Sequence, residues 1–372
     1  MSEIVSDPCV TDDDVDLDAM LDDLRTLVEI ESPSRDLEAL ERSAAALAAM
    51  IERHLGGTCE LVASPGGPHV NWRGGGDPKV LLLGHHDTVF PLGTLAKRPF
   101  RVADGVATGP GVFDMLGGIV QAVHGLARLS TDQLAHVELL FSADEEVGSV
   151  HSRDLIEERA AACGAVLVLE PSAPGGVLKT GRKGCGTFWI EVGGRAAHAG
   201  LEPERGVNAL VEAAHQVVEI ATFGRPEVGT TVTPTVASAG TTDNVVPAAA
   251  QIVVDVRVES ADEKARVEAA MAALAPVDPA ATVTVRGAVG RPPMPESASA
   301  TLFPLVQQID PAQQGVAVGG GSDGNFTAAI GVPTLDGLGA VGGGAHADTE
   351  HVVVDTMPAR AALIANLVAA IV

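Results

Sequence analysis

Imidazole and carboxylate side chains recur just past short apolar runs in the first half of the chain. The run 80–83 leads into Gly84-His85-His86-Asp87-Thr88-Val89, the run 137–141 into Ser142-Ala143-Asp144-Glu145-Glu146, and the run 166–169 into Glu170-Pro171. Between them, Gly109-Pro110-Gly111-Val112-Phe113-Asp114 reads as a tight turn that delivers an acid ahead of an apolar stretch beginning near Gly118. Short apolar runs bounded by turn residues read as buried strands. Open α/β sheets bind ligands just outside the carboxyl ends of such strands. Three strand ends and one turn therefore gather His and acids on one rim. Like charges brought together at low dielectric repel by on the order of several kcal/mol, and a divalent cation removes that cost. Mixed imidazole and carboxylate ligation suits zinc, although cobalt or manganese could use the same ligands. A single His or acid at a strand end is ordinarily just a solvated polar group, but their joint placement at successive ends favours a metal.

These groups need a scaffold, and the apolar pattern predicts one. Leu17, Met20, Leu21, Leu24, Leu27 and Val28 recur at helical spacing, as do Leu37, Leu40, Ala44, Leu47, Met50 and Ile51 after the break at Ser32-Pro33-Ser34. Helix-like stretches at 118–129 and 152–162 alternate with the strands, which predicts an α/β fold with a mixed sheet flanked by helices. From Thr187 the rhythm becomes strand 187–192, helix 204–221, strands 230–236 and 251–258, helix 262–275 and strand 282–286. That βαββαβ order predicts an inserted ferredoxin-like domain. The expected division is a catalytic domain at 1–178, an inserted dimerisation or lid domain at 179–290, and the rest of the catalytic domain at 291–372. Arg291-Pro292-Pro293 reads as a linker, and 359–372 as a closing helix.

Composition narrows the function classes. The 372 residues exceed what one core usually serves, and 46% hydrophobic with 20% charged residues suits a globular enzyme. The 24 Lys plus Arg against 49 Asp plus Glu give a net charge of -25, which repels nucleic acid and anionic membranes. With only 3% aromatics and no Tyr, stacking platforms for bases are also lacking. Cys9, Cys59, Cys163 and Cys185 show no CxxC spacing and read as free thiols. The Asp-rich segment 1–18 does not look like a secretory signal, and no apolar run reads as a membrane span, so the expected location is cytoplasmic.

In order and spacing, these motifs resemble the zinc metallopeptidase family that includes glutamate carboxypeptidase, acetylornithine deacetylase, succinyl-diaminopimelate desuccinylase and aminoacylase. The resemblance runs from His85 through the terminal helix. It is closest to the glutamate carboxypeptidase branch in Asp144-Glu145-Glu146, Ser152-Arg153-Asp154-Leu155-Ile156 and Glu170-Pro171-Ser172-Ala173. It implies two zinc ions per chain, with His85 and Glu170 on one, Glu146 and His346 on the other, and Asp114 bridging them. It also implies Asp87 behind His85, Glu145 as general base, and a cis peptide at Asp114-Met115. By the same resemblance, the family's spacing of ligand to Asp selects His85 over His86, while His351 stays open as an alternative to His346.

In the inserted domain, Ala197-His198-Ala199-Gly200, Asn244-Val245-Val246-Pro247 and Asp255-Val256-Arg257 resemble the family's substrate-facing positions. By that resemblance Arg257 clamps a substrate carboxylate, His198 polarises the scissile carbonyl across a homodimer, and Asn244 holds substrate beside it. A strand Arg is also an ordinary ion-pair partner, and an Asn before Val-Val-Pro an ordinary turn former. Gly319-Gly320-Gly321-Ser322-Asp323-Gly324 resembles a substrate-side glycine loop and lacks the Lys-Ser or Lys-Thr of a phosphate loop. Arg182-Lys183 reads as a solvated basic pair. The expected activity is hydrolysis of an amide next to a free carboxylate in a small peptide. Removal of an acyl group from an N-acyl amino acid is the alternative within the enzyme class. A catalytically dead binding protein is disfavoured by the presence of Glu145, and a purely structural dimerisation protein is the remaining rival.

Overall fold

The structure is a computed structural model and describes residues 9–372. The chain divides into two compact units: one runs to Gly181 and takes up Glu296–Val318 and Ser322–Val372, and the other comprises Arg182–Pro295 with Gly319–Gly321.

The larger unit is built on a six-stranded mixed sheet in the order Glu60–Val62, His69–Arg73, Val137–Ser142, Val80–His85, Ala165–Val168, Thr334–Leu335. The last four strands are mutually parallel, and His69–Arg73 runs antiparallel to its neighbours. Side chains alternate between the two faces. Val80, Leu82, Val137, Leu139, Phe141 and Leu167 join the larger core with the helices Leu17–Val28, Leu37–Leu55, Gly117–Leu126 and Met357–Ile371. Leu81, Leu83, Leu140, Val166 and Val168 face Ile156 and Ala160 of the helix Arg153–Ala162. Covered on both faces, the central strands are largely apolar, interrupted by the buried Glu138, which pairs with Asn71 and Arg73, and their other polar residues gather at the ends.

Close packing aligns those ends. A Cβ on Gly118 would lie 2.2 Å from the Leu169 carbonyl oxygen, so only glycine lets the helix start approach the strand that leads to Glu170. A small sheet of Gly342–Gly343, His351–Val353, Val106–Thr108 and Arg101–Ala103 brings the 342–353 segment against the chain entering the Asp114 turn.

The smaller unit is an antiparallel sheet ordered Thr231–Ala239, Ala249–Val258, Gly184–Gly193, Thr282–Arg291. Its helices Ala209–Ala221 and Ala261–Ala272 supply Ala209, Ala213, Ile220, Val267 and Met271 to a core with Phe188, Ile190, Val192, Ile252, Val254 and Val256. Four local expectations are corrected. The first helix begins at Ala209, where the Asn208 side chain accepts the N–H groups of Leu210 and Val211, because Pro203–Arg205 forms a separate turn. Arg291 is no linker: it closes a ten-residue strand and is buried. Arg182 is not solvated either, since it is buried and donates to the Gly320 and Gly321 carbonyls, tying the glycine loop to this unit. Lastly, Val354–Ile371 is long and apolar enough to cross a bilayer, contrary to the sequence reading. Met357, Ala361, Ile364, Leu367 and Val368 on it are fully buried in the core, which accounts for its composition.

Candidate metal centre

His85 ends its strand and is 1% exposed. Its Nδ1 lies 3.0 Å from the Asp87 carbonyl oxygen and 3.4 Å from Asp87 Oδ1, which leaves Nε2 directed elsewhere. Nε2 stands 3.3 Å from Asp114 Oδ1 and 3.6 Å from Glu170 Oε1. The other carboxylate oxygen of Asp114 is 3.3 Å from His346 Nε2, which is itself 3.0 Å from Glu146 Oε2. Two ligand groups result, His85–Asp114–Glu170 and Asp114–Glu146–His346, joined through Asp114. The Asp114-Met115 peptide is cis. The centre is sealed on the His85 side and open on the other, where the His346 side chain is 53% exposed.

These residues fit a pair of divalent ions. His85 Nε2, Asp114 Oδ1 and Glu146 Oε1 are buried without a hydrogen-bond partner, an arrangement that is costly unless a cation fills it. Protons on the two imidazoles also offset the charge of the cluster. Hydrogen bonds to Asp114 and Glu146 push His346 up to about 10. Burial opposes a charge on His85, yet Asp114, Asp87 and Glu170 raise it well above its ordinary value. Burial likewise opposes ionisation of Asp114, but His346 and His85 hold it below the usual carboxylate range. Burial, the larger influence on Glu146, raises its carboxyl against the pull of His346.

A second His-rich cluster, formed by Asp23, His54 and His124, is closed by direct hydrogen bonds and an ion pair to Arg53. Zinc bonds of about 2.0–2.1 Å in tetrahedral geometry hold ligand atoms roughly 3.3 Å apart. The contacts around Asp114 match that spacing. Asp23 Oδ2, by contrast, is 2.7 Å from His54 Nε2 and 2.8 Å from His124 Nε2, both hydrogen-bond lengths, and Arg53 occupies Oδ1. The cluster ties three helices together. His124→Ala is therefore expected to leave metal content unchanged while lowering stability by about 1.5–3 kcal/mol for the charged hydrogen bond alone. Elemental analysis beside a melting curve checks this, and a lost metal equivalent would make the cluster a metal site after all.

Asp87 does more than back His85. It is fully buried, and its Oδ1 accepts the Glu145 N–H at 3.1 Å while Oδ2 accepts the Glu146 N–H at 3.2 Å and the Ser34 hydroxyl at 2.7 Å. Burial would raise its carboxyl, but His85 and the Ser34 hydroxyl keep it low. Past the strand end, the Glu pair opens a short turn, Glu145–Val147. Successive residues on so tight a turn diverge, so Glu146 enters a ligand group while Glu145, 9% exposed, stays out of both. Glu145 is still close enough to help raise His85.

The two ambiguous histidines resolve by their partners. His86 is buried with Nδ1 against the Ser43 hydroxyl and Nε2 against the Pro68 carbonyl, and burial pushes it down to about 4. His351 turns its Nδ1 to the Thr349 carbonyl and joins neither ligand group. Glu350, between His346 and the following strand, was missed. Its buried carboxylate accepts the N–H groups of Gly111, Phe113 and Asp114 at 2.9, 3.0 and 2.9 Å. Burial pushes its carboxyl up to about 7 against those three donors.

In the smaller unit, His198 and Asn244 lie on adjoining exposed loops, linked by the Ala199 N–H to the Asn244 carbonyl at 2.9 Å. His198 Nδ1 accepts the Gly200 and Leu201 N–H groups, so its proton sits on Nε2. Arg257 forms a two-point ion pair with Asp255 at 3.1 and 2.9 Å and remains about one-third exposed.

A model of the peptidase family M20/M25/M40 matches residues 81–370. Carboxypeptidase G2 of Pseudomonas sp. (strain RS-16) is 34% identical over 371 residues, covering 94% of this chain and 88% of that protein. Succinyl-diaminopimelate desuccinylase of Stenotrophomonas maltophilia (strain R551-3) is 27% identical, covering 79% and 84% respectively. Among solved structures, the M20 family metallo-carboxypeptidase Sso-CP2 from Sulfolobus solfataricus superposes with a TM-score of 0.74 at 16% identity, over 94% of this chain and 98% of that one.

Proposed function

The chain belongs to peptidase family M20/M25/M40, and on that premise we propose that it is a two-zinc carboxypeptidase that cuts an amide bond next to a free carboxylate. The observation that carries the reading is one carboxylate, Asp114, facing two histidines with Glu145 beside the pair and outside both ligand groups. His85, Asp114 and Glu170 hold one ion, and Asp114, Glu146 and His346 the other. Bound there, the ions supply Lewis acidity to a carbonyl oxygen and lower the pKa of water. Glu145 takes a proton from the attacking water and returns it to the leaving amine. Asp87 fixes the main chain of the Glu pair, so that one side chain ligates and the next moves protons.

His198, with its proton on Nε2, is a hydrogen-bond donor suited to polarising a carbonyl oxygen, and Asn244 binds substrate beside it. Arg257 holds the substrate carboxylate, exchanging part of its contact with Asp255 for a fork-shaped pair. Two copies pair through this unit: the edge strand Thr231–Ala239 leaves Val236 59% exposed, and the neighbouring helix exposes Leu210, Val211 and Val218. Light scattering that gives a monomer would remove the shared-site role of His198. A cytoplasmic location is consistent with the four cysteines being free.

Removal of an acyl group from an N-acyl amino acid is the second reading, favoured by the similarity to the desuccinylase over 79% of the chain. Both readings need a carboxylate clamp, and the substrates separate them. Dipeptides ending in glutamate are expected to turn over faster than N-acetyl or N-succinyl amino acids. Arg257→Ala is expected to raise KM for them about 10- to 100-fold with a smaller change in kcat. Faster turnover of the N-acyl series would select the deacylase, and an unchanged KM would remove Arg257 from the site.

A further inference from the structure

We propose that Glu350 is a positioning residue that locks the main chain of the Asp114 turn to the loop carrying His346, so that both metal positions depend on one buried carboxylate that binds neither ion. Its role presumes the two-ion centre proposed above. His346 and Glu350 sit four residues apart on one folded-back loop, in which a Cβ on Gly344 would lie 2.7 Å from the Thr349 carbonyl group. His346 itself adopts φ 62°, a left-handed conformation that the loop must hold in place.

From this loop, two side chains grip the same residue in different ways. His346 meets the Asp114 carboxylate at 3.3 Å, while Glu350 accepts the Asp114 N–H at 2.9 Å together with those of Phe113 and Gly111. Both Glu350 oxygens are committed to the main chain, and Arg98 stands 3.8 Å from Oε2. Three N–H groups converging on one carboxylate fix the path of the turn from Gly111 to Asp114. The carboxylate of Asp114 must face two ions at once, so a small rotation of that turn spoils both positions. A residue that only packed the loop would leave the ligands' directions untouched.

Zinc alone, titrated calorimetrically into metal-free protein, tests this alongside the melting temperature of the same metal-free samples. Glu350→Gln replaces one acceptor oxygen with an N–H₂ group that opposes a main-chain N–H. Loss of such an outer partner typically weakens metal binding about 10- to 100-fold, and here that loss is expected at both ions. Glu350→Asp, which keeps the charge but withdraws the oxygens, is expected to fall between Gln and wild type, and it provides the readout if the Gln variant does not fold. A lowered melting temperature with both zinc affinities unchanged would make Glu350 merely structural and overturn the proposal. Weakening of only the ion at Glu146 and His346 would also overturn it. Wild-type protein that takes up no zinc would instead defeat the two-ion reading, and that outcome is visible before any variant is made.

Discussion

Glu145→Gln is expected to retain both metal ions and to lose about 10²- to 10⁴-fold in turnover, the usual contribution of a positioned general acid-base. The expectation follows from how the Glu pair divides. Glu146 Oε2 reaches His346 at 3.0 Å, whereas Glu145 joins neither ligand group although its main-chain N–H is held by the same Asp87. Gln preserves size and polarity at a position 9% exposed, so metal content and fold should survive. It cannot accept a proton at neutral pH, so the fall should appear in kcat and in kcat/KM alike. Metal content and steady-state kinetics on one preparation check both halves. A variant that loses metal would make Glu145 a ligand and require the roles of the two glutamates to be exchanged.

Asp114→Ala is expected to abolish binding of both ions, a larger consequence than that of any other single ligand. His85 and Glu170 form one group and Glu146 and His346 the other, and Asp114 is the residue common to both. Its removal leaves each group with two ligands and takes away the charge that offsets two neighbouring dications. His346→Ala, by comparison, should release chiefly one ion, since His346 belongs to a single group and is half exposed. Metal analysis after gel filtration checks the pair of variants. An Asp114→Ala protein that keeps one full equivalent would mean the two ions do not share this carboxylate.

The centre was legible because buried parallel strands leave a plain signature. Val80–His85 and Val137–Ser142 are covered on both faces, so apart from the buried Glu138, which pairs with Asn71 and Arg73, their polar residues stand at the carboxyl ends, and those ends share a rim. The alternation in the inserted unit was legible for a related reason: one face of its sheet is apolar under two helices. Residues whose role is to hold main chain left no such mark. Glu350 accepts N–H groups from residues some 240 positions away, a relation that no local spacing encodes. Arg182 looked like half of a solvated basic pair because its partners, the Gly320 and Gly321 carbonyls, lie in a distant loop. Tertiary packing also overrode local cues at Arg291, where two following prolines suggested a linker but strand pairing extends to Arg291. His85 and His86 were separable only by motif spacing, and their hydrogen bonds now give the physical reason: both ring nitrogens of His86 are already engaged.

The most direct test of the two-ion centre is the metal content of the purified wild-type chain, measured before and after exhaustive chelation with hydrolysis of a glutamate dipeptide followed on the same samples. Close to two zinc ions per chain, activity lost with the ions and restored on adding zinc back is the expected result. Protein that carries no bound metal and hydrolyses the dipeptide equally well in the presence of chelator would contradict it.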